Sequence, residues 1–498
     1  MNLRIIIKYM GLILRMEALF MLPPLVLALV KHEDGSAVGF AVTAALLMAV
    51  GTVLSRVRQD DSGVYAKEGF VSVALGWILI SLFGALPFYI SGCIPEFIDC
   101  WFETVSGFTT TGASILPAVE GLPYSILYWR SFTHWLGGMG VLVFLMAIVP
   151  LSKGKGGGEG FQLMRAESPG PVVGKLTPTL RNTARILYGI YLIMTVVEVL
   201  LLLAGGMPLF DSVVNSFATA GTGGFAIKNT SIAAYTSPYL QLVIAVFMML
   251  FGINFSLYYL VLLRRIRDVF RNEELRVYLG IMGGVTLIIF LSIVRRYESI
   301  GKALLDSYFQ VSSVMTTTGF ATTDFDKWPE ISRFLLVSIM IFGACAGSTG
   351  GGMKISRLII LVKSANREVM RILRPRTVKI IRADSKPVSE ETVRNTNAFF
   401  VLYFVICLVS MAVVALDDFN QETTVTSVLA CVNNIGPGLS LVGPMGNYAL
   451  FSPLSKLVLS FDMLFGRLEI FPMIMLFTPS VWLKGRHKKN RVRAMQDS

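Results

Sequence analysis

The sequence predicts an all-α polytopic membrane protein. Four helix–pore-loop–helix repeats surround one central pore, and two further transmembrane helices stand at the N-terminus. Three observations predict this: an apolar composition, a short loop repeated four times at fixed offsets, and basic residues gathered on one side of the expected membrane. Of 498 residues 54% are hydrophobic and only 15% are charged, with a mean hydropathy of +0.65. A soluble domain carries about 25% charge.

The repeat is the most specific signal. Its four copies are Thr110-Thr111-Gly112-Ala113-Ser114, Thr222-Gly223-Gly224-Phe225-Ala226, Thr317-Thr318-Gly319-Phe320-Ala321 and Asn434-Ile435-Gly436-Pro437-Gly438. Aligned on the third residue, they share more upstream. Thirteen residues before that Gly stand Asp99, Asp211, Asp306 and Thr423; six before it stand the small residues Ser106, Ala218, Ser313 and Ala430. One supersecondary unit has been used four times at spacings of about 100 residues.

Hydropathy then orders the elements. Two spans come first, near residues 3–30 and 37–54. Each unit follows with a first helix, a short pore helix, the Gly loop and a second helix. The flanking helices are expected at 69–90 and 124–151, 185–205 and 238–263, 275–294 and 329–373, and 398–416 and 453–483, ten spans in all. Most can cross a hydrocarbon core of about 30 Å. The segments before the loops, such as 97–108 and 210–220, are too short and polar to span. They fit half-helices that enter and return, which the bilayer tolerates only where backbone is buried in protein or lines water. The divisions are 1–68 for the N-terminal pair, then 69–152, 153–264, 265–380 and 381–498 for repeats 1 to 4, the last with a basic tail.

Charge sets the orientation. Of 44 Lys and Arg, 34 fall in the N-terminus, the inter-unit links and the tail, all on one face if there are ten spans. The positive-inside rule makes that face, and both termini, cytoplasmic, so the Gly loops open outward. This topological bias also accounts for a net charge of +12 without nucleic acid. Asp99, Asp211 and Asp306 lie toward the outer side, and their shared offset favours N-terminal caps of the pore helices over a cation-attracting mouth. The five cysteines form no CxxC or Cys/His cluster, which gives no indication of zinc or a disulfide scaffold.

The loops suit a dehydrated cation. Backbone carbonyls offer closely spaced oxygens without a fixed charge, and Gly112, Gly224, Gly319 and Gly436 permit backbone angles closed to other residues. The hydroxyls of Thr110, Thr222 and Thr317 are expected to add an oxygen ring at the inner end. No basic residue lies within the four loops, which disfavours an anion filter. Downstream of the third loop, the stretch Gly343-Ala344-Cys345-Ala346-Gly347-Ser348-Thr349-Gly350-Gly351-Gly352-Met353-Lys354 holds five glycines and cannot remain a stable helix. It reads as a mobile intramembrane gate, with Lys354 at its inner mouth, the alternative being close helix packing through small residues. A nucleotide-binding P-loop fails here, because Gly352-Met353-Lys354-Ile355 lacks the Gly-Lys-Ser/Thr ending. Arg467 sits inside the last apolar span, where a charge usually faces a cavity or a partner. It is expected to place a positive charge below the filter and to pair with the 343–354 loop. Glu469, two residues on, does not share its helix face.

These segments resemble the Trk/Ktr/HKT superfamily of potassium and sodium transporters, in its TrkH form. The resemblance rests on Thr109–Ser114, on Arg130–Gly140, on the TGGFA loop, on Thr316–Phe325, on the 343–354 string, on Asn433–Pro444 and on Gly466–Pro472. It implies K+ as the transported ion, a homodimer with one pore per protomer, and the bacterial inner membrane. It also implies a cytoplasmic TrkA-type nucleotide-binding subunit that drives the gate, with no organic cofactor in this chain. It maps the filter glycines to Gly112, Gly224, Gly319 and Gly436, the gating loop to 343–354 and a pore arginine to Arg467. Glycine at all four positions implies potassium over sodium. A sodium- or proton-coupled symporter remains the nearest alternative, with Glu198 and Asp462 as candidate intramembrane carboxylates. An intramembrane enzyme is remote: His32, His134 and His487 form no site with a nucleophile, and no HExxH or GxSxG occurs.

Overall fold

The computed structural model describes residues 2–57, 66–138, 140, 180–376, 379–384 and 386–482. Within them the protein is all-α, and the only named strands, β1 (Arg382–Ala383) and β2 (Lys386–Pro387), form one two-residue hairpin. The expected tail 484–493, most of the link between repeats 1 and 2, and the end of the 124–151 span lie outside the described residues.

The N-terminal pair is α1 (Leu3–Phe20), α2 (Leu22–Val30) and α3 (Asp34–Ser55). The first span breaks at Met21 because Pro23 and Pro24 withhold amide protons from the helix ladder. Repeat 1 holds α4 (Ala66–Gly84), α5 (Leu86–Ile90), pore helix α6 (Phe97–Phe108) and α7 (Tyr124–Gly138). Repeat 2 holds α8 (Leu180–Ala204), pore helix α9 (Leu209–Ala220), α10 (Pro238–Phe251), α11 (Phe255–Leu262) and α12 (Ile266–Arg271). Repeat 3 holds α13 (Glu273–Ile293), pore helix α14 (Ile300–Met315), α15 (Glu330–Met340) and α16 (Ile355–Leu373). Repeat 4 holds α17 (Glu390–Val414), pore helix α18 (Gln421–Val432), α19 (Pro453–Arg467), α20 (Phe471–Phe477) and α21 (Pro479–Trp482).

Among the described residues, six helical segments, two of them the pairs α1–α2 and α4–α5, are each long and apolar enough to cross a membrane by length and composition. Three second helices are broken, one of them where the sequence places its break, and each break has a local feature. The 238–263 span bends by 93° between α10 and α11, where Asn254 leaves the helix and caps α11 by accepting from the Ser256 amide. The 329–373 span opens at the glycine-rich string, as expected. The 453–483 span ends at Arg467, because Glu469 and Ile470 take left-handed φ of 58° and 67°.

Packing closes the four repeats into a ring. Within each repeat the pore helix lies against its own first and second helices. The second helix also packs on the pore helix of the next repeat: α7 on α9, α10 on α14, α15 on α18, and α19 back on α6. This fourfold arrangement places four non-spanning pore helices inside a wall of apolar ones. The pore helices α6, α9, α14 and α18 accordingly bury polar residues such as Glu103, Asn215, Gln310 and Ser427. The N-terminal helices stand outside this ring, with α1 against α3 and α4.

Candidate functional site

Each pore helix ends in the same way. The residue after its last turn, Thr110, Thr222, Thr317 or Asn434, takes a left-handed φ of 56°, 54°, 60° or 55°. The next amide then reaches back five residues: Thr111 N donates to Ser106 O (2.9 Å), Gly223 N to Ala218 O (2.8 Å), Thr318 N to Ser313 O (2.8 Å) and Ile435 N to Ala430 O (2.8 Å). This is a Schellman-type C-cap. Its acceptors are the four small residues that the sequence repeat aligned. Asparagine is comfortable in the left-handed region; three β-branched threonines are not, and each costs on the order of 1–3 kcal/mol. That strain is held at loops 1, 2 and 3.

The loop glycine follows with φ of 80°, 79°, 86° and 94° at Gly112, Gly224, Gly319 and Gly436, while the residue between has no positive φ. Alternating the sign of φ turns successive carbonyls toward the same side of a strand. The glycines also close the ring physically. A Cβ on Gly112 would collide with the Gly223 carbonyl oxygen, one on Gly224 with that of Thr318, and one on Gly319 with that of Ile435. One on Gly436 would lie 2.7 Å from the carbonyl oxygen of Thr111. Each loop therefore abuts the next, 1 to 2 to 3 to 4 and back to 1, with carbonyl oxygens at every junction.

The expected ring of inner hydroxyls is uneven. Thr110 Oγ1 is buried without a hydrogen-bond partner. Thr222 Oγ1 donates to Gly221 O (2.6 Å), and Thr317 Oγ1 accepts from Gly351 N (2.7 Å). Asn434 spends its amide donors on Thr111 Oγ1 (3.0 Å) and Met463 O (2.8 Å).

The three aspartates do not cap the pore helices, which corrects the sequence reading. The N-cap positions are Glu96, Pro208, Ser299 and Asn420, and of these only the side chains of Ser299 and Asn420 accept, from the Lys302 and Thr423 amides. The aspartates lie inside the helices and anchor them sideways. Asp99 pairs with Lys456 of α19 (2.6 Å), and Asp306 with Lys302 (2.8 Å) and Thr322 Oγ1 (2.9 Å). Asp211 accepts from Tyr235 Oη (2.7 Å). Burial, reinforced by that bond, pushes the Tyr235 hydroxyl's pKa up.

Behind loops 1 and 2 lies a network that sequence reasoning missed. Glu103 of α6 and Arg130 of α7 form an ion pair at 2.7 Å, with side chains 0% and 2% exposed. Glu103 also accepts from Ser114 Oγ (3.0 Å) and the Ile115 amide (3.0 Å), while Arg130 donates to Ala226 O (3.2 Å). One turn further, His134 Nε2 accepts from the Phe225 amide (3.2 Å), so Nδ1 carries the proton and donates to Gly107 O (2.8 Å). The imidazole is neutral and braces one repeat against the next. A signal was present: nine residues before each filter Gly stand Glu103, Asn215, Gln310 and Ser427, all polar.

The 343–354 loop lies directly beneath the inner ends of loops 3 and 4, and most of it is buried. Its legs pair at Gly343 N to Met353 O (2.8 Å). Gly351 sits so close to the fourth loop that a Cβ would fall 2.7 Å from Asn434 Cβ and 2.9 Å from Asn433 O. The α10–α11 bend grips the other side, through Cys345 N to Gly252 O (3.0 Å) and Phe255 N to Gly347 O (3.0 Å). Lys354 turns back to the Gly350 carbonyl and to that of Gly351 (3.2 Å). Arg467 meets the loop as expected, through Thr349 O (2.7 Å), and reaches Gly137 O of α7 (2.6 Å) with its other terminal nitrogen. The hydroxyls of Ser348 and Thr349 are engaged elsewhere, on Cys345 O and Phe251 O. Glu469 points away from Arg467 to pair with Arg357 of α16. Glu198 and Asp462 are buried, and neither is hydrogen-bonded to a filter residue; Asp462 accepts from Ser410 Oγ (2.7 Å). All five cysteines are free thiols.

This ring of repeated loops is matched by known proteins across the chain. The family model of the TrkH cation transport proteins matches residues 37–484. The chain belongs to the TrkH family. Its sequence is 36% identical to the Trk system potassium uptake protein TrkH of Salmonella typhimurium, over 97% of this chain and all of that protein. It is 32% identical to the Trk system potassium uptake protein TrkG of Escherichia coli, over 97% of this chain and 99% of that one. The crystal structure of the potassium transporter TrkH from Vibrio parahaemolyticus superposes with a TM-score of 0.85 at 32% identity, covering 97% of this chain and all of that one. The protein is thus a multi-pass membrane protein of a cation-transporting family rather than an enzyme.

Proposed function

We propose that this chain conducts potassium into the cell through the ring made by residues 110–112, 222–224, 317–319 and 434–436. The observation that carries the reading is the closure of four glycines onto four neighbouring carbonyls in cyclic order. Such a ring replaces an ion's hydration shell with oxygen dipoles. The names of the TrkH relatives supply the substrate. The 343–354 loop is the gate, and Arg467 holds it shut while placing a cation below the filter. The basic face is cytoplasmic and carries both termini, in the bacterial inner membrane. There, a homodimer engages a TrkA-type nucleotide-binding subunit, which drives the loop.

The test is Gly112→Ser and Gly319→Ser in proteoliposomes, with rubidium flux competed by potassium and by sodium. Each side chain would displace a carbonyl of the following loop, so the ratio of potassium to sodium competition should fall at least tenfold. Flux intact with an unchanged ratio in both variants would remove these glycines from the filter.

A further inference from the structure

Glu274 is the second residue of α13, at the end of repeat 3 opposite its filter loop, and it is buried. One of its oxygens, Oε1, accepts two amides that are ten residues apart. Ala346 N, on the descending leg of the 343–354 loop, donates at 2.7 Å, and Ser356 N, just past the ascending leg, donates at 3.0 Å. The second bond matters because α16 begins at Ile355 and its N-cap residue, Lys354, makes no side-chain cap. An α-helix leaves its first amides without internal partners, and a carboxylate at that end is favoured by the helix dipole. Glu274 therefore caps α16 from another helix and holds the two ends of the loop together on one atom.

The neighbouring residues lead from this clamp to the surface. Asp384, exposed at the turn of the β1–β2 hairpin, accepts from the Glu273 amide (2.6 Å) and from Asn272 Nδ2 (2.8 Å). Asn272 is itself the N-cap of α13, accepting from Leu275 N (2.8 Å). Lys363, two turns into α16, donates to Glu273 Oε1 (2.5 Å) and to Arg382 O of the hairpin (2.8 Å). Hairpin, α13 N-terminus and clamp form one unbroken hydrogen-bonded chain.

We propose that Glu274 is a positioning residue that fixes the loop beneath the filter, and that Asp384 transmits displacement of the surface hairpin to it. Moving the hairpin drags the first turn of α13, and with it the carboxylate to which both legs are tied. Loss of the clamp uncaps α16 and frees the loop at once, since the two amides share a single acceptor. This rests on reading 343–354 as the gate, but the clamp itself has a readout independent of flux. Cys345 lies within the loop and is fully buried, so its thiol reports release of the loop directly.

The test uses the full-length protein in detergent and in proteoliposomes. N-ethylmaleimide labelling of Cys345 is followed by peptide mass mapping, with rubidium flux measured in parallel. Glu274→Ala should raise the Cys345 labelling rate at least fivefold, and Glu274→Gln, which keeps an acceptor oxygen, should stay within twofold of the unmodified protein. Asp384→Ala, an exposed change that threatens no core, should raise labelling at least threefold. Unchanged labelling in both alanine variants overturns the proposal, as does an Asp384→Ala rate equal to that of the unmodified protein. If labelling rises while flux does not, the clamp stands and the gate reading fails.

Discussion

Removing the guanidinium at Arg467 is the sharpest perturbation of the proposed gate. Its bond to Thr349 O at 2.7 Å is charge-assisted, and such bonds contribute about 1.5–3 kcal/mol. At about 1.4 kcal/mol per decade, Arg467→Ala should shift the loop toward release roughly 10- to 100-fold. The bond to Gly137 O does not enter this figure, because it holds α7 and not the loop. A second effect has the same sign. A cation about 8 Å from a guanidinium, at an effective dielectric of 20, is repelled by about 2 kcal/mol, and that barrier vanishes with the charge. The assay is rubidium uptake into proteoliposomes without the proposed nucleotide-binding subunit. Flux should rise at least tenfold in Arg467→Ala, and also on deletion of Gly350–Gly352. Arg467→Lys should fall between, since it keeps the charge but not the paired reach to two carbonyls. Flux at or below that of the unmodified protein, from monodisperse and correctly inserted Arg467→Ala and deletion variants, would refute the gate.

Two further outcomes follow from the backing of the ring. Breaking the buried Glu103–Arg130 pair by Glu103→Gln strands a charge and should cost about 3–5 kcal/mol, read as a lower melting temperature with weaker potassium-over-sodium competition; the apolar pair Glu103→Leu with Arg130→Met should recover stability but not selectivity, and full recovery of both would make the pair structural alone. Gly351→Ala places a methyl against Asn434 and the Asn433 carbonyl, so basal rubidium flux should rise severalfold, and unaltered flux would mean that the loop does not press on loop 4.

Much of this was legible in the sequence because the ring is made of backbone. A strained turn needs particular residues at particular offsets, so Thr110, Thr222, Thr317 and Asn434, together with the glycines two positions later, mark it in plain view. The glycine-rich string was legible for the same reason. What stayed hidden depends on distant pairs. Asp99 looked like a cap until Lys456, across the 4-to-1 junction, claimed it. The bond of His134 to the Phe225 amide comes from repeat 2, and no spacing announces it. Glu274 stands beside Glu273 in an ordinary acidic first turn, and nothing in the spacing says that one side chain turns inward to the loop while the other faces Lys363. The bend at Gly252–Asn254 was also hidden: 238–263 is apolar enough to read as one span, and the loop that grips the bend at Gly252 O and Phe255 N is distant in the sequence.

The hidden contacts are where the repeats stop being equivalent. Within the ring itself, the four loops share φ values and junctions. Behind it they differ: the charged pair Glu103–Arg130 and neutral His134 brace loops 1 and 2, while Thr317 and Asn434 of loops 3 and 4 meet the 343–354 loop. The hydroxyl pairs follow another pattern, joining Thr109 to Thr111 and Thr316 to Thr318 at 2.8 Å, where repeat 2 has Gly221 and Gly223 and repeat 4 has Asn433 and Ile435. Four identical subunits would have to carry four gating loops and four arginines at one axis, and the arginines would repel one another at close range. One chain with four unequal copies needs a single loop and a single Arg467. It can keep half of the ring rigidly backed while the other half rests on the proposed gating loop.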